Sequence, residues 1–318
     1  MPDVLVLGAD GFIGSHLCDA LRSDGYSVRA FDRFPGGAAR NLAPASDLEI
    51  AQGDFLNRSD LEAALKGVRF VVHLISTTTP ATSGADPAFD VDTNIRGSVE
   101  LFELCAKAGV ERVMFASTGG AIYGRDQQHP LREDDLAQPF SPYAIGKLAI
   151  EGYLRFFRQA RGLDSIVLRV SNPYGERQPV EGAQGAVPIF LRRMMLGEPI
   201  TVFGDGSMVR DYLYVRDLVR MMSAVIDRPA AHHCYNIGSG RGLTVLELLE
   251  ALEVASGTPA LVEHAPDRPT DVHRVLLDTS RFESEFGLRA EMPLADGLAE
   301  SARYVRSNLD ASGSVPTR

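Results

Sequence analysis

The first turn of the chain constrains its fold more than any other stretch. Val4-Leu5-Val6-Leu7 is a short apolar strand, followed by Gly8-Ala9-Asp10-Gly11-Phe12-Ile13-Gly14 and a helical pattern of Phe12, Ile13, Leu17, Ala20 and Leu21. Strand, glycine turn and helix in that order suit a dinucleotide pyrophosphate. Gly8 allows a tight turn, Gly11 lets the backbone approach the phosphates, and Gly14 lets the helix lie close on the strand. The helix start at Phe12 and Ile13 points free N–H groups and a positive dipole at the anion. A second strand over 27–31 leads to Asp32, where a carboxylate is expected to accept hydrogen bonds from the adenosine ribose.

Strand and helix patterns then alternate: strands at 48–50, 70–75, 111–116 and 164–170, helices at 11–24, 87–108 and 142–161. Ser59 is expected to cap a further helix, with Glu62 completing a capping box. The repeat predicts an α/β fold, a Rossmann-type doubly wound parallel sheet with helices on both faces. After Asn172 the pattern loosens into helix 187–196, strand 200–203, helix 216–227, strand 234–237, helix 244–256 and helix 294–308. This predicts a dinucleotide-binding domain of residues 1–171 plus 212–240. A smaller α/β substrate-binding lobe takes 172–211 plus 241–309, and 310–318 form a flexible tail.

Composition narrows the partners. The 318 residues are 45% hydrophobic, enough for a real core, and carry a formal charge of −10 without a basic run. That charge argues against nucleic acid as a partner. Cys18, Cys105 and Cys234 have neither metal spacing nor the density of a disulfide framework, which fits a reducing cytoplasm and no metal site. The chain enters its first strand at once, with no signal peptide and no membrane-spanning stretch expected.

The chemistry concentrates in Tyr143-Ala-Ile-Gly-Lys147. Positions i and i+4 share a helix face, and an ammonium beside a phenol lowers its pKa, so Tyr143 is expected to act as a general base near neutral pH. The hydroxyl-rich strand end Ser117-Thr118 precedes it in the chain.

With these motifs, the chain resembles the extended short-chain dehydrogenases/reductases, in the NAD-dependent epimerase/dehydratase branch of sugar-nucleotide 4-epimerases. The matching segments are Gly8/Gly11/Gly14, Asp32, Gly53-Asp54, Asn94, Phe115 to Gly124, Ser141 to Lys147, Arg169 to Gly175, Arg210 to Val215 with Asp217, and Arg268 to Asp271. The resemblance implies NAD as cofactor and a UDP-sugar as substrate. Tyr143 would be the base, Lys147 would hold the nicotinamide ribose, and Thr118 would hydrogen-bond the sugar oxygen. Asp32 would hold the adenosine ribose and Asp54 the adenine, with Phe55, Leu74 and Asn94 also in the cofactor site. Asn172, Arg210 and Arg268 would bind the substrate diphosphate, with Val187 and Asp271 also at the substrate. Hydride would leave sugar C4 to give a 4-keto sugar and return to its opposite face. A homodimer through helices 87–108 and 142–161 is implied as well.

Several departures from the family pattern bear on specificity. His73-Leu-Ile-Ser-Thr-Thr-Thr-Pro80 stands where small alanines are usual and borders the nicotinamide side. Gly119-Gly120 follows Thr118 where related 4,6-dehydratases and uronate decarboxylases place an acid, which argues against both chemistries. Arg33 follows Asp32, whose charge would repel a 2′-phosphate and so favours NAD over NADP. Val275, near the position that limits room beside the sugar, permits glucose, an N-acetylhexosamine or a uronic acid. The rival readings are a net NAD(P)-dependent oxidoreductase, such as a 4-keto sugar reductase or a sugar or uronate dehydrogenase, and a non-catalytic NAD-sensing protein.

Overall fold

The computed structural model describes residues 2–124, 129–181, 185–267 and 272–311. The first half builds one sheet in strand–helix units. These are β1 (Val4–Leu7), α1 (Phe12–Ser23), β2 (Val28–Asp32), β3 (Leu48–Gln52), α2 (Arg58–Ala64), β4 (Phe70–His73), α3 (Pro87–Asp90), α4 (Gly97–Ala108), β5 (Arg112–Thr118), α5 (Pro142–Arg161) and β6 (Asp164–Val170). The second half adds β7 (Asn172–Tyr174), α6 (Ala186–Leu196), β8 (Ile200–Phe203), β9 (Val209–Tyr214), α7 (Val215–Val225), β10 (Cys234–Ile237), β11 (Gly242–Thr244), α8 (Val245–Ser256), β12 (Val262–Ala265), α9 (Ser280–Phe286) and α10 (Leu294–Ala311).

The central sheet is seven-stranded in the order β3-β2-β1-β4-β5-β6-β10, and every pairing is parallel. This is the predicted Rossmann-type doubly wound sheet. Its strand order reverses between β1 and β4, so the crevice for a dinucleotide opens at their carboxyl ends. β1 and β4 are buried throughout, as strands covered on both faces must be. One face packs under α1 and α7 around Leu17, Leu21, Leu218 and Met222. The other packs under α2, α4 and α5 around Phe55, Leu101, Phe102 and Leu154.

A three-stranded sheet, β11-β9-β7, and a two-stranded sheet, β12-β8, lie beyond it. A separate core of Tyr174, Val187, Leu191, Leu248, Leu252 and Leu298 fills the space among α6, α8 and α10. β7, β9, β11, β12 and α9 have no counterpart in the sequence reading; four are strands of only three to six residues, too short to show a period.

Three local expectations change. Asn57, not Ser59, caps α2: its side chain accepts from the Ser59 backbone N–H at 3.0 Å, and Glu62 pairs with Arg58 instead. β4 stops at His73, because Leu74 makes its last sheet-like bond to Leu7 O and the chain then turns away. Helix 87–108 is continuous, but Val91–Arg96 is wound as a π-helix. The Thr93 and Ser98 hydroxyls bond back to the carbonyls of Phe89 and Asn94 there. Such wide turns tend to mark functional positions.

Candidate active site

The glycine turn forms the floor of the crevice. Gly8 has φ of +85°. A Cβ on Gly14 would lie 2.0 Å from the Gly8 carbonyl oxygen, so only glycine permits this approach of α1 to β1. No side chain caps α1, and the N–H groups of Phe12 and Ile13 are free to meet an anion. That narrow backbone cradle fits a dinucleotide pyrophosphate. Leu74 and Ile75, just past the end of β4, flank it: a Cβ on Gly8 would lie 3.4 Å from Ile75 Cγ1.

Asp32 closes one end of the crevice, at the carboxyl end of β2. It accepts the Asp10 N–H at 3.0 Å and the Arg33 N–H at 2.8 Å, which aims the carboxylate along the crevice. Asp54 accepts the Leu56 N–H and stands 3.9 Å from Arg33, which is thereby drawn toward a carboxylate. The Phe55 side chain is buried against His73, so it is the Phe55 backbone that remains for a ligand. Asp10 adds a feature with no signal in the sequence reading. Its carboxylate accepts the backbone N–H groups of Arg40 and Asn41 at 3.0 and 2.8 Å, and Asn41 Nδ2 donates back to Asp10 O. The loop after Asp32 is thus strapped to the glycine turn.

α5 carries the chemical groups. Ser141 caps it and Pro142 takes its first position, a strong start signal that explains why its bounds were readable. Lys147 is buried, with Nζ donating to Ala116 O at 2.9 Å and lying 4.7 Å from the Phe115 ring centroid and 5.7 Å from that of Tyr143. This ties α5 to the end of β5, two residues before Thr118. The Thr118 hydroxyl accepts the Gly120 N–H at 3.3 Å.

The electrostatics differ from the sequence expectation. Burial, and then the Asp90 charge, push the Tyr143 phenol up to about 12 rather than down. Lys147 reaches toward a β5 carbonyl and does not offset this. Burial also pushes Lys147 down to about 8, against the opposing pull of Asp90 and Glu151.

Of the substrate candidates, Asn172 and Arg210 lie on the second sheet. Asn172 Nδ2 donates to Asp211 O at 3.1 Å, tying β7 to β9. Arg210 lies on β9, donating to Val209 O. Asp211 is occupied by Ser239 and Gly240, and Asp217 by Arg220 and the backbone of Glu291 and Met292. Val187 is buried in the lobe's core, and Val275 in a cluster with Ile122, Leu131 and Leu277. Arg268 and Asp271 lie outside the described residues. An open cavity of about 380 Å³ between α6 and β8 is lined by Ile189, Phe190, Arg193, Thr201 and Phe203 among others. Asn94 faces inward: Oδ1 accepts the Thr77 N–H, and Nδ2 donates to Thr78 and Asp90. Among the described residues no cluster of His, Cys and acidic side chains is arranged to hold a metal.

A parallel doubly wound sheet, a glycine cradle at its switch point and a Tyr–Lys helix against the next strand end define a dinucleotide-dependent enzyme of the dehydrogenase/reductase type. The family described as "NAD dependent epimerase/dehydratase family" matches residues 4–238, and the chain belongs to it. NAD is accordingly its cofactor. It is 35% identical to a UDP-glucose 4-epimerase of Mycolicibacterium smegmatis, over 95% of this chain and 98% of that one. It is 34% identical to a dTDP-4-dehydro-6-deoxyglucose reductase of Escherichia coli, over 95% and 97%. The solved UDP-glucose 4-epimerase of Thermotoga maritima, bound to UDP-glucose, superposes with a TM-score of 0.90 at 37% identity, covering 96% of this chain and 99% of that one.

Proposed function

We propose that the protein interconverts the C4 epimers of a UDP-sugar through a transient 4-keto intermediate. The observation that carries this is Lys147 anchored to Ala116 O, which ties the helix of Tyr143 to the strand that ends at Thr118. Gly119 supports epimerisation over dehydration. A Cβ there would lie 2.5 Å from Leu277 Cδ1 and 3.1 Å from Arg169 O, so the acid a dehydratase would carry could enter only with Leu277 displaced.

The chain's groups act as follows. Phe12 and Ile13 N–H groups hold the pyrophosphate, Asp32 the adenosine ribose, and Asp54 the adenine end. Leu74 and Asn94 border the nicotinamide side. Bound NAD supplies a hydride acceptor and donor, restored in each turnover. Tyr143 takes the proton of the sugar 4-hydroxyl while C4 loses its hydride, and Thr118 holds the same oxygen. The 4-keto sugar turns over; Tyr143 returns the proton as C4 is reduced from its other face. Arg210, Arg268 and Asn172 hold the diphosphate throughout, with Val187 and Asp271 bordering the substrate. The α6–β8 cavity takes the nucleotide base. The sheet and lobe divide as 1–171 plus 212–240 and 172–211 plus 241–309, and the protein works in the cytoplasm.

Tyr143 held as a phenol also suits proton donation to a keto sugar, and the reductase relative favours net 4-keto reduction as a second reading. One experiment separates the two. The purified protein is incubated without added cofactor with UDP-glucose, UDP-N-acetylglucosamine and UDP-glucuronate, and the products are resolved by proton NMR. A 4-epimer without net change in nicotinamide absorbance is expected. Stoichiometric consumption of reduced cofactor with a 4-keto sugar, and no epimer, would sink the epimerase reading. Tyr143→Phe is expected to lower the rate about 10²- to 10⁴-fold. Full activity in that variant would refute its role.

A further inference from the structure

Asp90, from the short helix α3, is a buried acid with no part in the chemistry above. It is 2% exposed. Its Oδ1 accepts from the Thr78 hydroxyl and from Asn94 Nδ2 at 3.0 Å. Both donors are neutral, and among the described residues no cation lies within ion-pair distance of it. Its Oδ2 stands over the backbone of Gly146, where a Cβ would approach it to 2.9 Å. Gly146 precedes Lys147 and follows Tyr143 by three positions in α5, so the carboxylate sits beside the face that carries both.

The charges around Lys147 can be followed element by element. On α5 they are Tyr143 and Glu151; α3 contributes Asp90, β4 contributes His73, and β6 contributes Arg169 behind Glu151. Glu151 is bound by both Arg169 Nε and Nη2 and accepts the Ser117 hydroxyl, so its charge is already compensated. Buried His73 is held neutral. Of the two carboxylates that act on Lys147, Asp90 is, among the described residues, the one not paired with a guanidinium, and a buried ammonium without such a charge would be costly to keep.

We infer that Asp90 is a positioning residue for the Tyr143–Lys147 pair: its charge keeps Lys147 an ammonium, its hydrogen bonds to Thr78 and Asn94 hold the loop to the π-helix, and its Oδ2 rests against Gly146 of α5. The threonine run that departs from the family pattern is then the donor side of this device. Thr77 bonds Thr93, Thr78 bonds Asp90, and Ser83 farther along the loop accepts the Tyr143 N–H at 3.1 Å. The catalytic meaning rests on the proposed role of Lys147, but the test reads the ammonium directly.

The chain has only three lysines, Lys66, Lys107 and Lys147, and the first two are exposed. Lysine labelled with ¹³C at Cε therefore gives three signals, with Lys147→Arg assigning the third. Asp90→Asn keeps an oxygen at Oδ1 for both hydrogen bonds and removes only the charge. The Lys147 titration midpoint is expected to fall by about one pH unit in that variant, with Lys66 and Lys107 unmoved. Gly146→Ala, which displaces Oδ2 while favouring the helix, should move it the same way by less and serves if Asp90→Asn does not fold. The high-pH limb of the epimerase rate should move down with the resonance. A Lys147 midpoint unchanged in both variants, or a rate lowered equally at every pH, overturns the inference. Wild-type protein without epimerase activity would count against the proposed function while leaving the resonance test standing.

Discussion

His73 shows how a single buried side chain sets a pH limit on the fold. Its imidazole lies among Phe55, Phe102 and Phe115, with Nε2 at 2.9 Å from the Ser98 hydroxyl. Burial pushes it from 6.5 down to about 3. The unfolded chain therefore binds a proton that the folded chain refuses, and stability falls as pH drops from about 6.5 toward 3. His16, also lowered by burial, acts with the same sign. Urea unfolding at a series of pH values should show this loss, at about 1.4 kcal/mol per pH unit from His73 between about 6.5 and 3, with His16 adding in the same direction. His73→Phe should flatten the slope; a slope unchanged in that variant would assign it elsewhere. The residue scale is also where sequence reading was weakest. Tyr143 and Lys147 were legible from their spacing, but their proton affinities were not, because burial and Asp90 come from elements far away in the chain.

At the scale of elements, legibility followed length and punctuation. β1, β6, α5, β8 and β10 lie where the apolar runs and caps put them. The misses are elements whose pattern is set by partners. β9 exists because β7 and β11 pair with it, and the π-turn in helix 87–108 is held by hydroxyl bonds that propensity does not encode. The β1–Gly turn–α1 unit is the most demanding of all. In Gly14→Ala the new methyl meets backbone, which cannot rotate aside, so α1 must lift from β1. A loss of about 1–3 kcal/mol in thermal unfolding is expected, together with loss of NAD binding in a calorimetric titration. An alanine variant that bound NAD normally would mean that this cradle does not hold the pyrophosphate.

For the whole molecule, the outer face of the helix 87–108 and α5 pair leaves Phe89, Val91, Ile145, Tyr153 and Phe156 exposed, each by 42% or more. On α5 these recur at helical spacing and form one stripe. We propose that this patch, on a chain of net charge −10, is covered by a second copy in a homodimer. Ile145→Glu combined with Phe156→Glu should give a monomer by sedimentation or light scattering, with the fold retained; a variant still dimeric would move the interface elsewhere. No helix among the described residues is long and apolar enough to cross a membrane. The strap from Asp10 to Arg40 and Asn41 has its own consequence at this scale. The strap makes the loop after Asp32 and the glycine turn move together, so a cofactor bound in that turn is expected to exchange slowly against the catalytic cycle. A protein that oxidises and re-reduces the same sugar has no need of that exchange, and its throughput then answers to the supply of sugar nucleotide and not to the redox poise of the cell.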